Sequence, residues 1–73
     1  MGSDAKELAN RIKVWRAEKD LTQEELARRI GVSRKTVNTI ERGVFVPSTI
    51  IALKLAREFE CSVEEIFELN PMG

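Results

Sequence analysis

The sequence predicts a single all-α domain of five helices. Apolar residues recur at helical spacings, polar breaks with capping residues separate these stretches, and no convincing strand pattern appears. The 73 residues leave room for one core only, so residues 1–73 are interpreted as one domain. A core of this size provides modest stability, which dimerisation would increase.

The first two helices are predicted in the N-terminal half. The apolar stripe of the first, from about residue 3 or 4 to residue 18, consists of Leu8, Ile12 and Trp15. Thr22 and Glu25 match a capping box, in which the hydroxyl meets an amide and the carboxylate reaches back, and predict where the second helix begins. Gly31 is expected to end it, because glycine tolerates the left-handed conformation that stops helices.

Serine residues begin the other three predicted helices. Ser33 is expected to cap a third helix running to about Arg42, and Ser48 to cap a fourth. The apolar stripe of the fourth helix consists of Ile51, Leu55 and Phe59. Ser62 and Glu65 match a second capping box and predict a short fifth helix that ends near residue 69.

Composition argues against several classes of protein. With 42% hydrophobic and 33% charged residues, the chain resembles an ordinary soluble domain. No apolar run approaches the ~20 residues of a membrane span, and no signal peptide is recognisable. The single cysteine cannot form an internal disulfide and fits a reducing cytoplasm, which is the expected location. The chain has no histidine, no metal-ligand spacing and no glycine-rich phosphate loop, so we expect no enzyme, metal or cofactor. Cys61 is expected as a buried thiol, or alternatively as a bridge between two chains.

The net charge is zero, but the charges are unevenly distributed. Residues 28–42 contain five basic residues opposed only by Glu41, whereas residues 58–68 contain five glutamates and no basic residue. A local basic face suits binding to phosphates even in a neutral protein. The alternative is a solvated surface with charges segregated by chance. The basic residues are Arg28, Arg29, Arg34, Lys35 and Arg42.

The outer face of the third helix carries the functional prediction. About three residues join it to the second helix, and so short a connection makes two helices cross at roughly 90–120°. The outer positions share one face and can all donate hydrogen bonds; they are Arg34, Lys35, Asn38, Thr39 and Arg42. Such a face suits the major groove of DNA, where Arg and Lys pair with guanine and Asn with adenine. The alternative is an exposed polar helix, although such helices usually mix acids with bases.

Four segments together resemble the phage repressor and Cro family of helix-turn-helix domains, the Xre type. They are LTQEELA at 21–27, IGVSR at 30–34, VNTIERG at 37–43 and PS at 47–48. The similarity covers roughly residues 9–67. It implies a five-helix lambda-repressor-like fold, a homodimer and an inverted-repeat operator in double-stranded DNA, with half-sites about 34 Å apart. Repression is the default in this family, and activation remains open.

The resemblance also implies roles for individual residues. It places over the base edges Arg34, Lys35, Asn38 and Thr39. Contacts to phosphates are expected from Gln23, Ser33, Thr36 and Arg42, helped at the helix N-termini by the helix dipole. Arg16 and Glu41 match the positions of an internal ion pair that ties the first helix to the third. Breaking one side of such a pair would cost a few kcal/mol.

The sequence departs from the family pattern at several positions. Asp20 stands where glycine is common, which predicts a slightly strained turn. Trp15 replaces a smaller aliphatic residue and is interpreted as a core residue, with base stacking as the alternative. Arg34 and Lys35 stand where many relatives carry uncharged residues, so operator sequences of the family do not transfer.

The sequence leaves two questions undecided: which residues form the dimer interface, and whether the protein binds another protein and not DNA. Phe45, Phe67 and Leu69 are candidates for a two-fold interface, and the core is the alternative for each. No module for a small-molecule effector is evident. The rival function is binding to a protein, either as an antitoxin or as an adaptor that contacts the transcription machinery. The acidic C-terminal end would then bind a basic partner.

Overall fold

The computed structural model describes residues 7–70. Four α-helices follow one another: α1 (Ile12–Glu18), α2 (Gln23–Ile30), α3 (Arg34–Glu41) and α4 (Thr49–Phe59). Strand β1 (Leu8–Asn10) precedes them, and a 3-10 turn (Val63–Glu65) and strand β2 (Phe67–Leu69) follow. The two strands pair antiparallel, with Leu8 opposite Leu69. No helix within residues 7–70 is long and apolar enough to cross a membrane.

Two of the five predicted helices need correction. Leu8 was assigned to the first helix but lies in β1, and α1 begins only at Ile12; the predicted start at residue 3 or 4 lies outside the described residues. The predicted fifth helix is a single 3-10 turn, after which the chain extends into β2. Both errors have one cause: each strand is three residues long and is stabilised by a partner at the other end of the chain, which local periodicity does not register.

The predicted helix boundaries at the other elements are confirmed. Thr22 Oγ1 accepts from the Glu25 amide at 3.0 Å, and the Glu25 carboxylate accepts from the Thr22 amide at 3.1 Å. Gly31 ends α2 in the left-handed conformation, at φ +74°. The remaining caps also form as expected: Ser33 at α3, Ser48 at α4 and the Ser62–Glu65 box at the 3-10 turn. These local signals were readable because each depends on neighbours within one helical turn.

One core joins the helices to the sheet. Its fully buried side chains of largest volume are Phe59, Ile12, Leu26, Ile40, Leu55, Ile66 and Val37. Trp15 stacks on Phe59 with ring centroids 6.0 Å apart, and its Nε1 donates to the Glu65 carbonyl at 3.0 Å, so it packs against the core as expected. Cys61 is only half-buried at the edge of this core; burial, followed by the nearby Glu65 charge, raises the pKa of its thiol.

Candidate nucleic-acid interface

Helix α3 is held to the body of the protein along one side. Val37 and Ile40 are buried, at 1% and 2% exposure, and face the core. At the turn before α3, the Val32 amide donates to the Ala27 carbonyl at 2.9 Å, and Lys54 Nζ donates to the Ile30 carbonyl at 3.3 Å. These contacts fix the start of α3 relative to α2, and they leave its opposite side to the solvent.

The solvent side of α3 carries unpaired positive charge. Arg34 and Lys35 are exposed, and together with Asn38 they line an open groove on the surface. Arg42 is exposed at the end of the helix. Within residues 7–70, none of these three cations forms an ion pair. Their charges therefore remain available to an anionic partner.

The C-terminal glutamates are partly neutralised elsewhere. Arg29 Nη1 lies 2.9 Å from Glu58 Oε2, and Lys19 Nζ lies 3.1 Å from Glu60 Oε1. Glu68 pairs with Arg11 beside the sheet. In the folded protein, three C-terminal glutamates therefore form ion pairs with cations outside α3. The positive charges on α3 are not neutralised by these glutamates.

The predicted phosphate-binding side chains at the start of α3 lie together. Ser33 Oγ accepts from the Thr36 amide at 3.1 Å and lies 2.9 Å from Thr36 Oγ1. The Thr39 hydroxyl donates within the helix, to the carbonyls of Lys35 and Thr36, both at 3.0 Å. As its single proton is used there, the Thr39 hydroxyl retains lone pairs but no donor for a further partner, whereas the sequence suggested a donor.

A chain of polar side chains connects α1, α2 and α3. Arg16 Nε lies 2.5 Å from Glu41 Oε2, and its Nη2 lies 3.2 Å from Oε1. These two side chains are 15% and 8% exposed. Gln23 Nε2 donates to the same Glu41 Oε1 at 3.1 Å, and Gln23 Oε1 accepts from Asn38 Nδ2 at 3.4 Å. The structure thereby joins two residues assigned to DNA, Gln23 and Asn38, to the internal ion pair.

Asn10 is a connecting residue that sequence reasoning missed. Its Nδ2 donates to the Ile40 carbonyl near the end of α3 at 3.0 Å. Its Oδ1 accepts from the Ile12 amide at 3.1 Å, at the start of α1. The readable signal was an asparagine in the middle of the predicted first helix, because an asparagine side chain competes with the backbone for hydrogen bonds and disfavours a helix interior.

The three candidate interface residues have different environments. Phe45 and Leu69 are exposed, at 48% and 78%. Phe67 is buried at 7% exposure and belongs to the core, which corrects its assignment to an interface: its strand pairing turns it toward the helices. Ile50 and Leu53, on the exposed side of α4, were not predicted and are 65% and 57% exposed.

The family model HTH_3, described as helix-turn-helix, matches residues 12–66. The chain belongs to the helix-turn-helix family. This confirms the resemblance drawn from the residues, and the helix-turn-helix proteins of this family are DNA-binding transcriptional regulators, not a class of enzymes.

Individual helix-turn-helix proteins support the same placement. An Archaeoglobus fulgidus protein described as an uncharacterized HTH-type transcriptional regulator is 47% identical over 60 residues, which cover 82% of this chain and 84% of that protein. Among solved structures, the restriction-modification controller protein C.AhdI from Aeromonas hydrophila has a TM-score of 0.69 at 35% identity, covering 74% of this chain and 82% of that one. The SOS-response transcriptional repressor LexA from Eubacterium rectale has a TM-score of 0.72 at 29% identity, covering 85% and 66%. These names favour a regulator over the protein-binding alternative.

Proposed function

We propose that this helix-turn-helix protein represses transcription in the cytoplasm by binding an inverted-repeat operator as a homodimer. The observation that carries the proposal is the solvent side of α3, where Arg34, Lys35 and Asn38 line one open surface free of acidic partners within residues 7–70. Arg34 and Lys35 can pair with guanine and Asn38 with adenine in the major groove. The similar structure of LexA from Eubacterium rectale, an SOS-response transcriptional repressor, supports repression over activation.

Selection of bound duplexes from a random pool tests the specificity. We expect an inverted repeat with half-site centres about 10 base pairs apart, the spacing of one DNA turn. Equal affinity for the selected duplex and for shuffled duplexes at physiological salt would contradict the proposal. Repression is tested by placing the selected operator in a promoter and measuring reporter output with and without the protein.

A charge-reversal pair tests the assignment of the face. Arg34→Glu/Lys35→Glu should abolish binding to the selected duplex, because two contacts become repulsive. Lys13→Glu/Lys19→Glu is the matched control: it changes the net charge equally, at exposed residues within α1 and directly after it. Equal loss of binding in both variants would show that net charge matters and that the α3 face does not.

A continuous apolar surface supports the homodimer. Leu69 lies opposite Leu8 across the sheet, so both side chains are on one side of it. Leu8 lines a groove with Pro47 and Leu53, and Leu53 lines the neighbouring groove with Ile50. A stable interface buries about 800 Å² on each partner. A surface running from Leu69 to Ile50 supplies more apolar area for a second copy than Leu69 and Phe45 alone.

Charged substitutions on this surface test the homodimer. Leu53→Lys and Leu69→Lys should shift the protein from dimer to monomer in sedimentation analysis and weaken operator binding. Val14→Lys is the control, since Val14 is 60% exposed on α1 and lines a different groove. A wild type that is monomeric at the concentrations that saturate the operator would contradict the proposal.

A further inference from the structure

The polar chain from Arg16 to Asn38 has a defined direction. Glu41 accepts from Arg16 through both carboxylate oxygens, and a carboxylate has only acceptors to offer. The Gln23 amide group, 3.1 Å from Glu41 Oε1, must therefore turn its NH₂ toward Glu41. Its carbonyl oxygen is then directed to Asn38, which lies 3.4 Å away.

The orientation of Gln23 determines which atoms Asn38 presents to the solvent. A carbonyl oxygen accepts only, so Asn38 must meet Gln23 with its Nδ2. One Nδ2 proton is used there, and the other proton and Oδ1 remain. A donor beside an acceptor is the pair that adenine requires at N7 and N6. With the opposite orientation Nδ2 and Oδ1 of Asn38 would exchange places, and an adenine held in the same position would meet a donor where it requires an acceptor.

We propose that Gln23 is a positioning residue. The Arg16–Glu41 pair fixes the orientation of the Gln23 amide, Gln23 in turn fixes the orientation of the Asn38 amide, and Asn38 therefore selects adenine. This inference rests on the proposed binding of DNA by α3. It gives Gln23 an effect on specificity at one base pair, whereas a contact to phosphate would change affinity for all sequences alike. The ion pair, which does not contact DNA, thereby influences which base is read.

Gln23→Met tests the inference, since it keeps the length of the side chain and removes both hydrogen bonds. Asn38→Ala first identifies the base pair that Asn38 reads, as the position where preference disappears. Gln23→Met should lower the preference for adenine at that pair by about tenfold, within the range of one bidentate contact, and leave the other positions unchanged. Thr36→Val is the control, because it removes a predicted phosphate contact outside the polar chain.

A double-mutant cycle separates action through Asn38 from direct action on DNA. In the Asn38→Ala background, Gln23→Met should produce no further change in base preference. A uniform loss across all duplexes, or an equal effect in both backgrounds, would overturn the inference and leave the proposed function intact. A specific wild type whose preferences Asn38→Ala does not alter would also overturn it. A wild type without any sequence preference would overturn the proposed function as well.

Amide NMR spectra of the DNA-free protein provide a readout independent of DNA. Gln23→Met should shift the side-chain Nδ2 resonances of Asn38, because their hydrogen-bond acceptor is lost. Thr36→Val should leave these resonances in place. An unchanged Asn38 signal in a folded Gln23→Met protein would overturn the inference.

Discussion

Arg16 connects three parts of the fold through a single guanidinium group. It pairs with Glu41 at the end of α3, and its Nη1 donates to the Leu21 carbonyl in the turn before α2, at 3.0 Å. Both charged side chains are largely shielded from water, at 15% and 8% exposure. Removing one partner leaves the other charge buried and uncompensated, which lowers the free energy of unfolding.

We expect Arg16→Met and Glu41→Met each to destabilise the protein by about 3 kcal/mol, and the double variant to lose less than the sum. The reason is that each single change leaves an uncompensated charge, whereas the double change removes both. Urea denaturation of the three variants measures this. Lys19→Met, which breaks an exposed pair with Glu60, is the control and should cost less than about 1 kcal/mol. Strict additivity of the two single changes would refute the argument.

Asp20 lies in the left-handed region, at φ +57°. This is the turn where the sequence already indicated strain, because aspartate stands where glycine is common in the family. In this conformation the Cβ of any residue other than glycine lies too close to the following carbonyl oxygen. Aspartate reduces this steric cost, because its short polar side chain can form local hydrogen bonds.

The stability order at position 20 should be glycine above aspartate above alanine, with steps of about 0.5 kcal/mol. Thermal and chemical denaturation of Asp20→Gly and Asp20→Ala test this order. Position 24 in the first turn of α2 serves as the comparison, since there alanine should be more stable than glycine. An alanine variant as stable as the glycine variant at position 20 would show that the turn is unstrained.

At the scale of elements, α2 is defined at both ends by short-range signals. The Thr22–Glu25 box begins it and Gly31 ends it. The Thr22 amide and hydroxyl both donate to the Glu25 carboxylate, and these hydrogen bonds lower the pKa of Glu25 below its ordinary value of 4.5. Because the folded pKa is the lower one, this stabilisation is complete above about pH 4.5 and is lost as the pH falls through the folded value.

Glu25→Gln should therefore make the stability of the protein less dependent on pH in the acidic range. Melting temperatures at pH 7, 5, 4 and 3 measure this, and the wild type should lose more than the variant over that range. Glu24→Gln is the control: it changes the charge equally one residue away and leaves the capping box intact. A variant as acid-sensitive as the wild type would show that this box contributes nothing to the pH dependence.

At the scale of the whole molecule, a neutral chain acquires a basic face through its ion pairs. Three glutamates of the C-terminal segment form ion pairs with Arg29, Lys19 and Arg11. Within residues 7–70, Arg34 and Lys35 form no ion pair. Electrostatic attraction to DNA depends on such a local distribution and not on the total charge.

Arg42 allows a quantitative test of this distribution. Each phosphate contact contributes roughly 0.9 to the slope of log affinity against log salt concentration. Because the proposed homodimer carries two copies of Arg42, Arg42→Ala should reduce the steepness of that slope by about 1.8 and weaken binding to all duplexes to a similar extent. Lys13→Ala, an equal loss of charge at an exposed residue of α1, should leave the slope unchanged. Equal slopes for Arg42→Ala and the wild type would remove Arg42 from the phosphate contacts.

The sequence by itself determined the helix caps, the inner faces of α2 and α3, and the composition of the outer face of α3. Each depends on residues within about one turn of one another, a range over which hydrogen bonding and helical periodicity act. The tertiary structure decided the pairing of β1 with β2, the burial of Phe67 and the chain of contacts from Arg16 through Gln23 to Asn38. These features arise only when distant segments meet, because their partners are selected by packing of the whole chain and not by local spacing.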